Sequence, residues 1–157
     1  MKKIFIPLAL ATGLLFTACN NSSNDQPATG HEAPKTKSDS LMADVMEGHD
    51  VGMGKMDKLD KFQGLVQQAL DSIAKLPAKA QQASGPLKEK LTAALEELKK
   101  ARTGMNDWMD HFNMDSAVNN AEERIRYLAG EKDKIGKVKE QILSSLSQAD
   151  SLLKAKF

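Results

Sequence analysis

The sequence predicts an all-α protein, an elongated antiparallel three-helix bundle or coiled coil that follows a signal peptide and a disordered tether. Three observations predict this class. Residues 38–157 are rich in Ala, Leu, Lys, Glu, Gln and Met, and their apolar residues recur with a helical period. No strand-like alternation or hairpin turn occurs in them. Two short breaks separate three long helices, each with one apolar stripe that must be buried against a neighbour.

Residues 1–18 are predicted to be a lipoprotein signal peptide, and Cys19 is predicted to be the lipidated residue. Two lysines precede an apolar run from Ile4 to Phe16, which is too short to span a membrane. Thr17-Ala18 then lead to the chain's one cysteine. This order resembles a bacterial lipoprotein signal, in which cleavage falls just before the cysteine that receives the lipid. The alternative is a secreted protein with one free thiol.

Residues 19–37 are predicted to comprise the lipidated cysteine and a disordered linker, because Asn, Ser, Pro and Gly dominate and no apolar period is present. His31 lies in this linker and is predicted to be solvated. Without Lys2 and Lys3, the chain has 20 basic and 21 acidic residues. A near-neutral chain has no electrostatic drive towards nucleic acid. The predicted address is the cell envelope, lipid-anchored at the outer membrane and facing the periplasm or the exterior.

The helical domain, residues 38–157, is predicted to begin with a helix over about 39–76. Ser38 or Asp39 can cap its first turn. Pro77 ends or kinks this helix, because proline lacks the backbone N–H that an interior turn requires.

The second helix is predicted to start at Ser84-Gly85-Pro86, with the proline in its first turn. It ends before a break at Asn113–Ser116. The third helix covers about 117–155, with Asp115 or Ser116 as its cap.

Each predicted helix has an apolar seam that is expected in the core. The seam residues are Leu41, Val45, Gly48, Gly52, Leu59, Phe62, Val66, Leu70 and Ile73 in the first helix, Leu87, Leu91, Ala94, Leu98, Ala101, Met105, Trp108 or Met109, and Phe112 in the second, and Ala121, Ile125, Leu128, Ile135, Val138, Ile142, Leu146, Ala149 and Leu153 in the third. Trp108 is expected to anchor the core or a subunit interface, and Tyr127 is expected at the core boundary.

Methionine is unevenly distributed along the chain. The seven methionines after Met1 lie in two stretches, 42–56 and 105–114. In the first stretch, four methionines and His49 recur at steps of 4, 3, 4 and 3, an arc of roughly 80° on a helix. A turn centred near Gln81 would place Met109 opposite Met53, Met105 opposite Met56 or Asp57, and Phe112 opposite His49 or Asp50. Both stretches are therefore expected at the end of the bundle that carries the tether.

Two interpretations of this cluster stay open. Packing is the favoured one, because methionine fills irregular gaps and four glycines lie in the same region. A soft-metal site is the other, because thioethers and imidazole suit Cu(I). The candidate ligands are Met42, Met46, His49, Met53, Met56, Met105, Met109, His111 and Met114. Cu(I) is the only cofactor that the sequence suggests.

Motifs of enzymatic chemistry are missing from the sequence. It contains no glycine-rich phosphate loop, no Cys-x-x-Cys and no His-Glu-x-x-His. Its acidic residues stand mostly beside lysines at helical spacing, as surface charges do. The sequence therefore predicts a protein that is not an enzyme.

Three segments, VMEGHDVGMGKM, MNDWMDHF and YLAGEKDKIGKVKEQILSSLSQADSLL, resemble a family of short Bacteroidetes-type lipoproteins. Members often carry the label viral A-type inclusion protein. The resemblance covers about residues 41–157 and implies a helical protein with no activity to carry over. The family pattern has a proline near position 54, where this chain has Gly54. The resemblance thus implies a break in the first helix there.

The function predicted from these features is that of a lipid-anchored helical module with a structural or interaction role. Its partners would be the membrane, through the lipid, and a protein or a second copy. The first alternative is a periplasmic Cu(I)-binding protein. A weaker alternative is a holdase-type chaperone that grips clients with its methionine-rich end.

Overall fold

The computed structural model describes residues 36–155. The predicted signal peptide, the lipidation site Cys19 and most of the linker, including His31, lie outside the described residues. Residues 36–155 are all-α, without a strand, as predicted. None of their helices is long and apolar enough to cross a bilayer.

Five helical segments follow one another along the chain. They are α1 (Lys37–Met53), α2 (Met56–Ala74), α3 (Ala78–Ala83), α4 (Gly85–His111) and α5 (Ala121–Ala155).

The first turn of α1 is closed by a capping box. Thr36 is the cap, and its Oγ1 accepts a hydrogen bond from the Asp39 amide at 3.1 Å. The Asp39 carboxylate in turn accepts one from the Thr36 amide at 3.0 Å. The predicted cap, Ser38 or Asp39, was therefore two or three residues late, and Asp39 is the second partner of the box.

The predicted single helix over 39–76 was wrong, because α1 ends at Met53 and α2 begins at Met56. The break lies at Gly54-Lys55, where the resemblance implied one. The Lys55 amide donates to the carbonyl of Gly52 at 2.9 Å, so the chain tightens there instead of continuing as an α-helix. Two glycines within three residues lower the helix propensity enough for this turn to form.

The predicted turn near Gln81 contains the short helix α3. The side-chain amide of Gln81 donates to the carbonyls of Ala74 at 2.9 Å and Leu76 at 2.7 Å. These bonds satisfy carbonyl groups left over at the end of α2. Pro86 lies in the first turn of α4, as expected.

The second break is longer than predicted, because α4 ends at His111 and α5 begins only at Ala121. Asn120, rather than Asp115 or Ser116, stands before the first turn of α5, and its Oδ1 accepts from the Glu123 amide at 3.2 Å. Ala121, predicted in the seam, is exposed.

Most of the predicted seam is buried. The buried apolar side chains are Val45, Leu59, Phe62, Val66, Ala69, Ile73, Leu91, Ala94, Leu95, Leu98, Ala101, Met105, Trp108, Leu128, Ile135, Ile142, Leu146 and Ala149. Gly48 and Gly52 are buried as well. At the position where Trp108 and Met109 were alternatives, Trp108 is the buried one.

The relative direction of the helices follows from their contacts. Asp44 of α1 accepts from Lys132 of α5 at 2.7 Å, and Gly48 lies against Ile135, so α1 and α5 run in the same direction. Asp60 of α2 pairs with Arg102 of α4, while Gly52 lies against Met105, so α4 runs the opposite way. α1 packs chiefly on α5, and α2 packs on both α4 and α5.

Candidate functional site

A stack of four rings joins α1, α4 and α5. The centroids of His49 and Trp108 lie 5.7 Å apart, those of Trp108 and Phe112 lie 4.7 Å apart, and those of Phe112 and Tyr127 lie 6.2 Å apart. Offset stacking at these distances stabilises aromatic pairs beyond the area that they bury. The predicted register between α1 and α4 was close but not right, because His49 lies against Trp108 where Phe112 was expected. Met105 meets Gly52 rather than Met56 or Asp57.

Below the stack lies a buried carboxylate, Glu131, which is only 4% exposed. Its Oε2 accepts from the indole Nε1 of Trp108 at 2.9 Å, and its Oε1 accepts from Lys134 at 2.7 Å. Glu131 is not among the residues that the sequence predicted for the site. It stands between the seam residues Leu128 and Ile135, at three and four residues, and this polar residue at a seam position was the signal that could have found it.

The pKa values of two lysines of α5 are raised by the carboxylates beside them. The hydrogen bond from Lys134 to Glu131 and the attraction between their charges raise the pKa of Lys134 above the usual lysine value. The bond from Lys132 to Asp44 raises the pKa of Lys132 in the same way. The Lys132–Asp44 pair joins α5 to α1, whereas the Lys134–Glu131 pair lies within one turn of α5.

The nine predicted ligands are distributed over distinct environments. Met105 is fully buried, and a Cβ added to Gly52 would overlap its methyl group. It therefore fills the core between α1 and α5. Met42, Met46 and Met56 are half-buried, whereas Met53 and Met109 are exposed. Met114 lies on the loop after α4.

The two predicted histidine ligands make different contacts. His49 is half-buried against Trp108, and its Nδ1 lies 2.9 Å from the Asp50 carboxylate. His111 is exposed, and its Nδ1 lies 2.6 Å from the carbonyl of Asp107, one turn earlier. Of the two, only His49 takes part in the ring stack. Within residues 36–155, no three His, Cys, Asp or Glu side chains converge in a way that could hold a metal ion.

The loop over 112–120 is held in place by polar contacts from α5. The Asn113 amide donates to the hydroxyl of Tyr127 at 2.7 Å, and Arg124 donates to the carbonyl of Ser116 at 2.7 Å. Ala117 has a φ of 56°, in the left-handed region that costs an L-residue roughly 1–2 kcal/mol. The surrounding contacts must therefore hold the loop in one conformation.

This fixed loop presents the two most exposed large apolar side chains of the described part of the chain. Met114 is 55% exposed and Val118 is 57% exposed. Asp115 lies between them, and Glu122 and Glu123 follow at the start of α5, where acidic side chains favour the helix dipole. Since α1 runs parallel to α5, its first residue, Lys37, is at the same end of the molecule as this loop.

The comparisons with known proteins add no relative: no family model matches the chain, and neither the curated proteins nor the solved structures include a significant match.

Proposed function

We propose that this protein is a non-enzymatic lipoprotein of the bacterial cell envelope, whose helical domain binds a protein partner through the loop over 112–120. In this proposal Cys19 carries the lipid, and residues 20–35 link it to α1. The resemblance to a lipoprotein family without a known activity agrees with such a role.

We infer further that the helices form an elongated antiparallel three-helix bundle. α1 and α2 would together make the first leg, α4 the second and α5 the third. The opposite directions of α4 and α5, and the one cluster of buried apolar residues to which all three legs contribute, support this architecture. In such a bundle the loop over 112–120 caps the end from which the tether leaves.

The observation that carries the interaction role is the fixed loop with its exposed Met114 and Val118. Solvent-exposed apolar side chains are ordinary when scattered, but here two of them stand four residues apart on a backbone held by Tyr127 and Arg124. A pre-ordered loop loses little conformational entropy on binding, so its apolar contacts translate more fully into affinity. Methionine also adapts its shape to different partner surfaces.

Site-specific photo-crosslinking in intact cells tests this proposal. A photoreactive residue at position 114 or 118 should give a discrete protein adduct, while one at Leu143 should give none. Leu143 is a matched control, because it is also apolar and exposed but lies in the middle of α5. The double change Met114→Ser and Val118→Ser should leave the fold intact and abolish the adduct formed from a probe at position 115.

Cell fractionation tests the anchor in the same strains. Cys19→Ser should release the protein from the membrane pellet into the soluble fraction. If the Cys19→Ser protein stays with the membrane, the lipid anchor is wrong. Equal adducts at positions 114 and 143, or none at either, would contradict the loop as the binding surface.

A further inference from the structure

Met114 stands at the corner of a β-turn within the loop over 112–120. The carbonyl of Asn113 accepts a hydrogen bond from the Ser116 amide at 3.2 Å, and the side-chain Oδ1 of Asn113 accepts one from the Asp115 amide at 2.9 Å. The bond from the fourth residue back to the first closes the turn, and the asparagine side chain tightens it. Met114 is the second residue of this turn.

The backbone on both sides of Met114 is held by α5. The Asn113 amide donates to the hydroxyl of Tyr127 at 2.7 Å, and Arg124 donates to the carbonyl of Ser116 at 2.7 Å. The turn cannot withdraw from the surface without breaking these bonds. A chemical change in the side chain of Met114 therefore stays where a partner would meet it.

The methionines of the domain differ widely in their access to solvent. Met114 is 55% exposed, the highest value for a methionine in the part of the chain that the structure describes, against 38% for Met53 and 36% for Met109. Met105 is fully buried. An oxidant in solution therefore reaches the sulfur of Met114 most easily, and that of Met105 only when the core opens.

We propose that Met114 is a reversible oxidation site that controls binding at the loop over 112–120, with hydrogen peroxide as the oxidant. A lone pair of the thioether sulfur attacks one peroxide oxygen and the O–O bond breaks. The departing hydroxide takes the proton of the transferred oxygen, so the products are methionine sulfoxide and water. The sulfur loses two electrons, which reduce the peroxide. Methionine sulfoxide reductases reverse the change.

Oxidation of Met114 would weaken binding without unfolding the domain. The sulfoxide oxygen accepts hydrogen bonds from water and loses them in an apolar interface that offers no donor. The side chain of Met114 is outside the buried apolar cluster, so the core keeps its contacts. This inference rests on the proposed function, because it assigns the regulation of the same loop.

Photo-crosslinking with a probe at position 115 tests the proposal in cell envelopes that carry the full chain. Envelopes are treated with hydrogen peroxide, catalase removes the excess, and the samples are irradiated. Mass spectrometry gives the oxidised fraction of each methionine. Met114 should be oxidised before Met105, and the adduct yield should fall about tenfold, as expected for an unpaired polar group in the interface. The two methionine sulfoxide reductases, one for each sulfoxide epimer, should restore the yield.

Two leucine variants locate the effect. Leucine keeps the volume and apolarity of methionine and forms no sulfoxide. Met114→Leu should give the adduct and keep it after peroxide treatment. Met109→Leu removes another exposed thioether, on α4, and should lose the adduct on oxidation as the parent does.

Two results would overturn this inference and leave the proposed function standing. One is an adduct that persists when mass spectrometry shows complete oxidation of Met114. The other is an equal loss of the adduct in Met114→Leu, because the peroxide would then act elsewhere. Absence of the adduct before any oxidation would contradict the binding role of the loop itself, and the oxidation site with it.

Discussion

The helical domain has two halves that are built from different side chains. The aliphatic half comprises α2, residues 85–101 of α4 and residues 142–155 of α5. The aromatic half comprises α1, residues 102–111 of α4, the loop over 112–120 and residues 121–141 of α5. The core of the aliphatic half consists almost entirely of Leu, Ile, Val and Ala. The aromatic half instead contains two buried glycines, a buried glutamate and the ring stack.

A domain built in this way can keep the side chains that stabilise its fold apart from those that bind a partner. Aliphatic side chains in close contact bury apolar area without directional bonds, so they stabilise the fold without requiring one particular partner group. The buried Glu131 must instead keep its partners Trp108 and Lys134, and the buried glycines lower the helix propensity of α1. We expect the aliphatic half to provide most of the free energy of unfolding, and the aromatic half to be the part that opens and binds.

The largest expected effect is in the aliphatic half. Leu98 is fully buried in the middle of α4, and Leu98→Ala should lower the free energy of unfolding by about 2–4 kcal/mol through lost burial and a residual cavity. Urea denaturation measures this change. The control Leu143→Ala, at an exposed position of α5, should stay within about 0.5 kcal/mol of the parent. Similar losses at both positions would mean that the seam is on another face.

The next effect concerns the one buried carboxylate among the described residues. Glu131→Leu should cost about 1–3 kcal/mol, because the indole N–H of Trp108 would stay buried without an acceptor. Glu131→Gln keeps an acceptor oxygen and should cost clearly less. If both substitutions are equally harmful, the charge of Glu131 rather than its hydrogen bond matters, and the comparison of the halves must be revised.

The same variant has a consequence for the titration of Lys134. Glu131 raises the pKa of Lys134 above 10.5, so this ion pair stabilises the fold fully below that pH and loses its contribution as the pH rises through the raised pKa. In Glu131→Gln the pKa of Lys134 should fall back towards the ordinary value. Nitrogen-detected NMR titration of the lysine side chains measures this. An unchanged pKa would show that the pair does not form in solution.

Smaller effects separate the glycines of the two halves. A Cβ at Gly48 would lie 3.0 Å from Cγ2 of Ile135, a stiff and buried side chain, whereas a Cβ at Gly64 of α2 would meet nothing within 4 Å. Gly64→Ala should therefore stabilise the protein by about 0.5–1 kcal/mol through helix propensity. Gly48→Ala should destabilise it by about 1 kcal/mol, because crowding outweighs that gain. Gains at both positions would show that α1 is not closely packed on α5.

Much of the aliphatic half could be predicted from the sequence, and less of the aromatic half. Regular apolar spacing identified Leu59, Leu91, Leu98 and Ile142 as core, because burial of aliphatic residues follows helical period directly. The apolar spacing continues past Gly54, so it predicted one uninterrupted helix. Two nearby glycines can turn the chain without changing that apolar spacing. The break then shifts the register of α1 against α4, which is why His49 meets Trp108 instead of Phe112.

The polar contacts of the site could not be predicted from the spacing of residues along the sequence. In the sequence, Glu131 has the features of a surface charge, and only the fold places Trp108 beside it. The sequence predicts only a short helix break within 112–120, because it does not reveal that Tyr127 and Arg124 hold the backbone of this loop. The methionine stripe was visible, but only the packing separates Met105, which fills the core, from Met46 and Met53 at its edge.

Native-state hydrogen exchange tests the division between the two halves most directly. Amides of α4 near Leu98 should exchange only through global unfolding. Amides of α1 between Val45 and Val51 should be protected at least tenfold less, a difference of about 1.4 kcal/mol or more, because the break at Gly54-Lys55 lets α1 open from α5 by itself. Protection of α1 equal to that of α4 would mean that the domain opens as one unit, and would contradict the division of roles between its halves.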